Sequence, residues 1–330
     1  MKNLTLLIPT KNRHLILKKT LTYYINNKLD FKILVLDSSN KNNFELNKKF
    51  IKNHIYINHF KMYGWTTEVI KKSKKYIKSD YISYSGDDDI FCIKNLKYFI
   101  NFLENNKNYI GIHGKAITAD FTNGFLNYTS QYKFNEIKQS IPSKRLEEFF
   151  QNYTTLMFSI TRKNYFFKAM DLVPSNKNRH HCPDKGMSTE ILPCAGLAFY
   201  GKFKNLNIPY LVRVVGHGRT FLKKKIDNKS INFLINTFKK KIVDQSSLNF
   251  FNNNTKKTII NKYKKINSST KNNLLKEILK LIFTFFFLKN FTKKILNLFN
   301  SNVFSREYIF STNDKQYKDF KLILNSISTR

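Results

Sequence analysis

The sequence contains few cysteines and no long apolar run. Three cysteines in 330 residues, Cys92, Cys182 and Cys194, fit no disulfide framework and indicate a reducing compartment such as the cytosol. The N-terminal apolar run is short and ends at Pro9, so it does not predict a secretory signal peptide. No apolar run reaches the ~18 residues that a membrane-spanning helix needs. These absences predict a cytoplasmic protein.

Acidic residues are also scarce, with 22 Asp and Glu against 58 Lys and Arg, which gives a formal net charge of +36. Such a charge attracts polyanions and anionic membrane surfaces. The excess is mostly Lys and accompanies much Asn, Ile, Phe and Tyr, a mixture that an AT-rich genome would also place at neutral surface positions. Charge alone therefore selects no function. The sequence has no Gly-x-Gly-x-x-Gly fingerprint, no P-loop and no nucleic-acid-binding motif, so nucleic acid is not an expected partner.

Short apolar runs alternate with amphipathic stretches over the first ~115 residues, as in βαβ units on a parallel sheet. Four of the five apolar runs are nearly continuous, which is typical of strands covered on both faces. The predicted strands are 4–8, 31–36, 54–59, 81–85 and 109–113, with helices at about 12–28, 44–52, 66–78 and 93–105. The pattern predicts an α/β domain built on a mostly parallel sheet flanked by helices.

The pattern is less regular between residues 115 and 222. A hairpin is predicted at 115–128 because Asn123-Gly124 is a strong turn signal. The other predicted elements are helices at 143–152 and 163–170, a strand at 156–161, a polar loop at 174–185, a helix from Ser188 or Thr189 to about 200, and a strand at 210–215.

Residues 223–330 contain no Gly or Pro and are rich in Lys, Asn, Ile and Phe. We therefore predict a catalytic domain at 1–222, with halves at 1–115 and 116–222, and a basic, mainly helical extension at 223–330. Within the extension, residues 277–300 are apolar and aromatic with Lys at the rim. They predict a helix at a membrane interface, or one packed on the domain or on a second subunit.

Three carboxylates, Asp87, Asp88 and Asp89, follow the fourth predicted strand. The carboxyl edge of an open α/β sheet is where ligands bind. Adjacent carboxylates repel one another, and a divalent cation with a preference for oxygen ligands, Mg²⁺ or Mn²⁺, would offset that repulsion. The alternative is a solvated acidic turn. A zinc site at His180, His181, Cys182 and Cys194 is not expected, because the spacing lacks a Cys-x-x-Cys pair.

Polar residues also follow the first and second strands, and all three groups would line the same edge. The first strand ends in Ile8-Pro9-Thr10-Lys11-Asn12-Arg13, and the second in Leu36-Asp37-Ser38-Ser39. Together with Asp87-Asp88-Asp89, this order and spacing resemble the nucleotide-sugar-binding half of family 2 and related inverting glycosyltransferases. The resemblance covers residues 1 to about 115 well and the rest more loosely. It implies a GT-A fold and direct displacement of a nucleoside diphosphate by an acceptor hydroxyl.

The resemblance implies roles for matching residues. Asp37 would contact the nucleoside, Asp88 the ribose or sugar of the donor, and Asp87 and Asp89 the Mn²⁺ or Mg²⁺. A catalytic base is expected about a hundred residues later. The residues implied in donor binding are Pro9, Thr10, Arg13, Asp37, Ser38, Asp87, Asp88, His217 and Arg219; those for the metal are Asp87, Asp89 and His217; and those for the base are Glu190 or Asp184.

Several of these residues have ordinary structural alternatives. Glu190 could simply be an acid at a helix N-terminus, and the second acid usual beside such a base is replaced here by Ile191. His217 stands between Gly216 and Gly218, where backbone could approach a ligand closely, or it is a loop residue. Arg213 could neutralise phosphate. Trp65 is expected to pack in the core or on the surface.

The resemblance predicts a bacterial transferase acting on a glycan, a lipid-linked precursor or a glycoprotein, in surface polysaccharide synthesis. The basic extension would hold it at the inner face of an anionic membrane or in an oligomer. A polyanion-binding protein without enzymatic activity and a metal-dependent nucleotidyltransferase are the alternatives.

Overall fold

A computed structural model of the protein describes residues 3–122, 125–173, 190–215, 236–237, 303–304 and 315–328. The strands of these regions form one ten-stranded mixed sheet in the order β10-β7-β6-β8-β4-β1-β2-β3, with β9 beside β6 and β5 beside β9. The strands are β1 Leu4–Thr10, β2 Lys32–Asp37, β3 Ile57–Lys61, β4 Tyr81–Tyr84, β5 Asp89–Phe91, β6 Tyr109–Thr122, β7 Phe125–Tyr132, β8 Ile160–Arg162, β9 Lys202–Val215 and β10 Val303–Phe304.

The first four strands form the parallel part of the sheet, in the order β3-β2-β1-β4. Their side chains alternate between two hydrophobic clusters. Leu6 and Ile33 belong to one cluster, whereas their chain neighbours Leu7 and Leu34 belong to the other. Because successive side chains of a strand point to opposite faces, the two clusters lie on the two sides of the sheet. The continuous apolar runs in the sequence reflect this double burial.

Helices cover both faces. The helices are α1 His14–Asn26, α2 Lys41–Ile51, α3 Thr66–Ser73, α4 Leu96–Asn105, α5 Pro142–Gln151, α6 Lys163–Met170, α7 Leu192–Tyr200 and α8 Lys315–Ser328. Side chains of α1, α4 and α8 join the cluster that contains Leu6, and those of α3, α5, α6 and α7 join the cluster that contains Leu7. The α/β fold class predicted from the sequence is confirmed.

The second half of the sheet is mixed. Strands β6 and β7 form the predicted antiparallel hairpin, with Asn123 and Gly124 of its turn outside the described residues. Strand β8 runs antiparallel between β4 and β6. The strand predicted at 156–161 is wrong in its first half, where Leu156–Phe158 form a single 3₁₀ turn. The sequence also failed to predict β5, because its three residues carry no periodic signal.

The last helix, α8, is part of the main core. Phe320, Ile323, Leu324 and Ile327 are buried in the same cluster as residues of α1 and β9. Asn95 donates to the Asp319 carboxylate at 2.9 Å. This end of the predicted extension therefore packs on the α/β domain, whereas residues 277–300 lie outside the described part. Among the described residues, no helix is long and apolar enough to cross a membrane.

Candidate active site

The strand order changes direction beside β1, which pairs with β2 on one side and with β4 on the other. In open α/β sheets, ligands bind in the crevice outside the carboxyl ends of the strands at such a switch point. Thr10 ends β1, and the three acidic residues 87–89 follow β4 or begin β5. The topology therefore brings these sequence-predicted residues to one crevice.

The acidic loop is anchored to the strand and helix beside it. The Thr10 hydroxyl donates to Asp87 Oδ2 at 2.8 Å, and the Thr20 hydroxyl of α1 donates to the backbone carbonyl of Asp87 at 2.7 Å. Ser85 donates through its hydroxyl to the carbonyl of Asp89 at 2.9 Å. These bonds hold the three carboxylates at the end of β4 with side chains that are almost wholly buried.

Arg13 balances much of the negative charge of this loop. Its Nη1 lies 2.5 Å from Asp87 Oδ1 and its Nη2 lies 2.7 Å from Asp88 Oδ2. Burial lowers the pKa of Arg13, but the carboxylates of Asp87 and Asp88 more than offset this, and its pKa is raised. The guanidinium is therefore a permanent cation at the mouth of the crevice. Arg13 thus supplies part of the positive charge that was expected beside the acidic triplet.

Asp87 binds its proton unusually tightly. Burial raises the pKa of Asp87 to about 6, since the opposing effect of Arg13 and Thr10 is smaller and the charges of Asp88 and Asp89 raise it further. Both oxygens of Asp87 are already engaged, one by Arg13 and the other by Thr10. The protein itself therefore supplies a hydrogen-bond donor to each oxygen of Asp87.

Asp37 organises the neighbouring strand end. It is fully buried, and it accepts hydrogen bonds from the Ser39 amide, the Asn47 side chain and His59 Nε2 at 2.8–2.9 Å. Burial raises its pKa, but these hydrogen bonds outweigh burial and lower the pKa to about 2. Asp37 is thus ionised and held by protein donors. Its contact with a nucleoside stays a prediction.

The turns after β1 and β2 are joined to each other. The Asn12 amide donates to the Ser39 hydroxyl, and the Asn40 amide donates to the Asn12 side chain, both at 2.8 Å. Asn12 has a φ of +55°, a conformation that Asn tolerates better than most residues. Ser38 donates its amide to the carbonyl of Thr10 at 2.9 Å. Pro9, Thr10, Asp37 and Ser38 therefore form one rigid rim of the crevice.

Arg213 faces the other end of the acidic loop. In the register of β5 and β9, Asp89 lies opposite Arg213, and the two are 3.5 Å apart between Oδ1 and Nε. The guanidinium packs on the rings of Tyr132 and Phe158, with centroid distances of 4.7 and 4.4 Å. Burial lowers the pKa of Arg213, but Asp89 more than offsets this effect, so Arg213 remains charged.

Glu190 reaches the same region from the turn that precedes α7. Tyr153 and Thr155 donate to its Oε1 at 2.5 and 3.0 Å. Its charge and those of Asp87, Asp88 and Asp89 all act, after burial, to raise the pKa of Tyr84, the last residue of β4. Tyr84 therefore lies within electrostatic range of Glu190 and of all three carboxylates of the acidic loop.

Gly86 leaves space beside two of the carboxylates. A Cβ at this position would lie 2.7 Å from Asp89 Oδ2 and 2.9 Å from Asp88 Oδ1. The two oxygens therefore converge beside Gly86, and a side chain at this position would clash with them. In the described part of the chain, no group of three or more His, Cys, Asp or Glu side chains could hold a metal ion by itself. A cation bound here would need further oxygen ligands from a phosphate and water, as Mg²⁺ commonly has.

Solved structures with a similar arrangement include the S. aureus protein TarS. Its residues 1–349 in complex with UDP-GlcNAc match with a TM-score of 0.50 at 14% identity, over 76% of this chain and 69% of that one. The chain has the GT-A fold. TarS 1–349 alone and with UDP match with TM-scores of 0.44 and 0.43, each at 12% identity over 83% of this chain and 92% of that one. No protein-family model and no curated protein sequence matches the chain.

Other predicted site residues lie outside the described part of the chain. These are the alternative base Asp184 and the phosphate-binding candidates His217 and Arg219. His180, His181 and Cys182, three members of the zinc group that the sequence did not favour, also lie outside it. Cys194, the fourth, is buried in α7. Trp65 stands immediately before α3 and is 43% exposed.

The sequence did not point to Tyr132, Tyr153, Thr155 or Thr20, which all contribute hydrogen bonds to the candidate site. Thr20 lies on α1, Tyr132 on β7, and Tyr153 and Thr155 in the segment after α5. Because each of these contacts joins segments that are far apart in the chain, no local signal distinguishes the four residues.

Proposed function

We propose that this protein is a glycosyltransferase that moves a sugar from a nucleotide-sugar donor to an acceptor hydroxyl. The observation that carries the proposal is the cluster of charges at the switch point of a sheet with the GT-A fold, where Arg13 pairs with Asp87 and Asp88 and Arg213 faces Asp89. The S. aureus protein that shares the fold binds UDP-GlcNAc. A nucleoside diphosphate is therefore the leaving group that we propose for this chain.

The proposed reaction is a single displacement. Glu190, or Asp184 in the alternative assignment, would take the proton from the acceptor hydroxyl, whose oxygen forms a bond to the anomeric carbon. The bond from that carbon to the diphosphate breaks, so the nucleoside diphosphate leaves and the sugar configuration inverts. A base must lie within hydrogen-bond reach of the proton that it removes. Arg213, which faces Asp89, also interacts electrostatically with Glu190, and this supports Glu190 as the proposed base.

Charge on the departing diphosphate would be offset by Arg13 and, in the proposal, by Mn²⁺ or Mg²⁺. Asp87, Asp89 and His217 are the proposed ligands, and Asp88 Oδ1 and Asp89 Oδ2 both lie close to Gly86. When bound, such a cation acts as a Lewis acid toward phosphate oxygens. His217 and Arg219 remain proposed phosphate contacts.

The acceptor is proposed to be a glycan, a lipid-linked precursor or a glycoprotein of a bacterial surface. The net charge of +36 would attract the protein to anionic lipid or to an anionic polymer.

Thermal shift with nucleotides tests the proposal directly. The full-length protein is heated with UDP, GDP, dTDP, CDP or CMP, each with and without Mn²⁺. A ligand that binds only the folded state raises the melting temperature, by an amount equal to about 2.7 kcal/mol of stability at one hundred times its Kd. We expect one nucleotide to stabilise the protein more strongly with Mn²⁺.

The matched variants are Asp89→Asn and Asp171→Asn. Asp171 is an exposed residue at the end of α6 and should leave the nucleotide response unchanged. Asp89→Asn should abolish the Mn²⁺-dependent part. A folded protein that responds to none of the five nucleotides would refute the transferase assignment and favour polyanion binding.

A further inference from the structure

Two hydroxyl groups converge on one oxygen of Glu190. Tyr153 follows α5, and Thr155 precedes the 3₁₀ turn Leu156–Phe158. The Tyr153 hydroxyl lies 2.5 Å and the Thr155 hydroxyl 3.0 Å from Glu190 Oε1. No donor from the described residues lies on Oε2. Within the described part of the chain, the carboxylate is therefore held through Oε1.

The donors are themselves connected to the acidic loop. Thr155 accepts a hydrogen bond from the Tyr132 hydroxyl at 2.9 Å. The ring of Tyr132 lies under the guanidinium of Arg213, which faces Asp89. A continuous set of contacts thus runs from Glu190 to Asp89 of the acidic triplet. The positions of these two carboxylates are therefore coupled.

The tyrosine hydroxyls remain protonated at any pH at which the enzyme would work. Burial, followed by the charge of Glu190, raises the pKa of Tyr153 well above its ordinary value. Burial also raises the pKa of Tyr132, although Arg213 acts in the opposite direction. Each hydroxyl is consequently a permanent hydrogen-bond donor.

We infer that Tyr153 and Thr155 are positioning residues, which hold Glu190 through Oε1 so that Oε2 accepts the proton of the attacking hydroxyl. This inference rests on the proposed function. An acidic side chain with no fixed partners would sample several rotamers, whereas two donors select one. Hydrogen bonds to a carboxylate also favour its ionised form, which is the form that a base must have before the reaction.

Paired variants of neighbouring threonines give the sharpest test. Thr155→Val removes one donor to Glu190, whereas Thr154→Val removes a buried hydroxyl that has no hydrogen-bond partner among the described residues. Tyr153→Phe is paired with Tyr210→Phe, which removes a buried hydroxyl bond to the carbonyl of Phe158. Thr155→Ser restores a hydroxyl and should recover most of the turnover lost in Thr155→Val.

The measurement is nucleotide release by the full-length protein from UDP-GlcNAc and from the GDP, dTDP, CDP and CMP sugars, with water as the acceptor. We expect Tyr153→Phe and Thr155→Val to lower kcat by about 10- to 100-fold, because a hydrogen bond to a charged group is lost. The donor KM and the thermal shift with the nucleotide should stay as in the wild type.

The outcomes separate the two proposals. Equal kcat in Thr155→Val and Thr154→Val, with an active wild type, would overturn the positioning role and leave the transferase standing. Equal losses in Tyr153→Phe and Tyr210→Phe, or a raised donor KM, would show a general structural effect and also overturn it. A wild type that releases no nucleotide from any of the five donors would overturn the transferase, and the positioning role with it.

Discussion

At the scale of single residues, the acidic loop shows how two arginines of the chain offset the charge of three adjacent carboxylates. Arg13 contacts Asp87 and Asp88 through separate nitrogens, and Arg213 faces Asp89. Breaking a buried ion pair by removing one partner typically costs about 3–5 kcal/mol, because an uncompensated charge remains. The sequence predicted that the triplet would need a cation, and two side chains of the chain provide positive charge there.

The raised pKa of Asp87 predicts how stability changes with pH. The folded protein holds this proton up to about pH 6, whereas an unfolded Asp loses it near pH 4. Stability from Asp87 is therefore full below about pH 4 and is lost as the pH rises through 6. The expected loss is about 3 kcal/mol, measured by urea unfolding at pH 4–6.

Asp87→Asn should remove this pH dependence, and Asp171→Asn should retain it. Asp37 does not interfere, because its lowered pKa changes stability only below about pH 4. A slope between pH 4 and 6 that is the same in Asp87→Asn and in the wild type would contradict the assignment.

At the scale of elements, α8 is the clearest case in which tertiary packing changed the expected organisation. The sequence predicted a basic, mainly helical extension after residue 222, and composition alone suggested a surface role for it. Every third or fourth residue of α8 instead packs on the α/β domain, through Phe320, Ile323, Leu324 and Ile327. The buried face of α8 therefore belongs to the hydrophobic core.

The two faces of α8 allow a matched prediction. Leu324 is fully buried, and Leu322, two residues earlier, is 40% exposed. Leu324→Ala should lower the free energy of unfolding by about 2–5 kcal/mol, because it removes buried methyl groups and leaves a cavity. Leu322→Ala should cost less than about 1 kcal/mol. Urea unfolding of both variants measures the difference, and equal losses would show that α8 does not pack as described.

At the scale of the whole molecule, the dominant feature is the net charge of +36. Charge of one sign repels itself in the compact state, and salt screens that repulsion over a Debye length of about 10 Å at 0.1 M. We expect the melting temperature to rise when NaCl is increased from about 0.05 to 0.5 M. Near the isoelectric point the same salt change should have a smaller effect. A melting temperature that falls with NaCl at pH 7 would mean that the ion pairs outweigh the repulsion.

The sequence by itself determined the features that depend on neighbours along the chain. Continuous apolar runs predicted β1, β2 and β4, because side chains buried on both faces of a sheet must all be apolar. The bounds of α6 were predicted as they are observed, and polar residues at the strand ends predicted one shared crevice.

The tertiary structure alone decided which distant residues meet. Arg213 and Asp89 face each other through the register of β5 and β9, and Glu190 meets two donors from the segment between α5 and the 3₁₀ turn Leu156–Phe158. Such contacts depend on how separate elements pack, and no spacing in the sequence encodes them. The same reason explains why α8, which has the composition of a basic surface helix, completes the hydrophobic core.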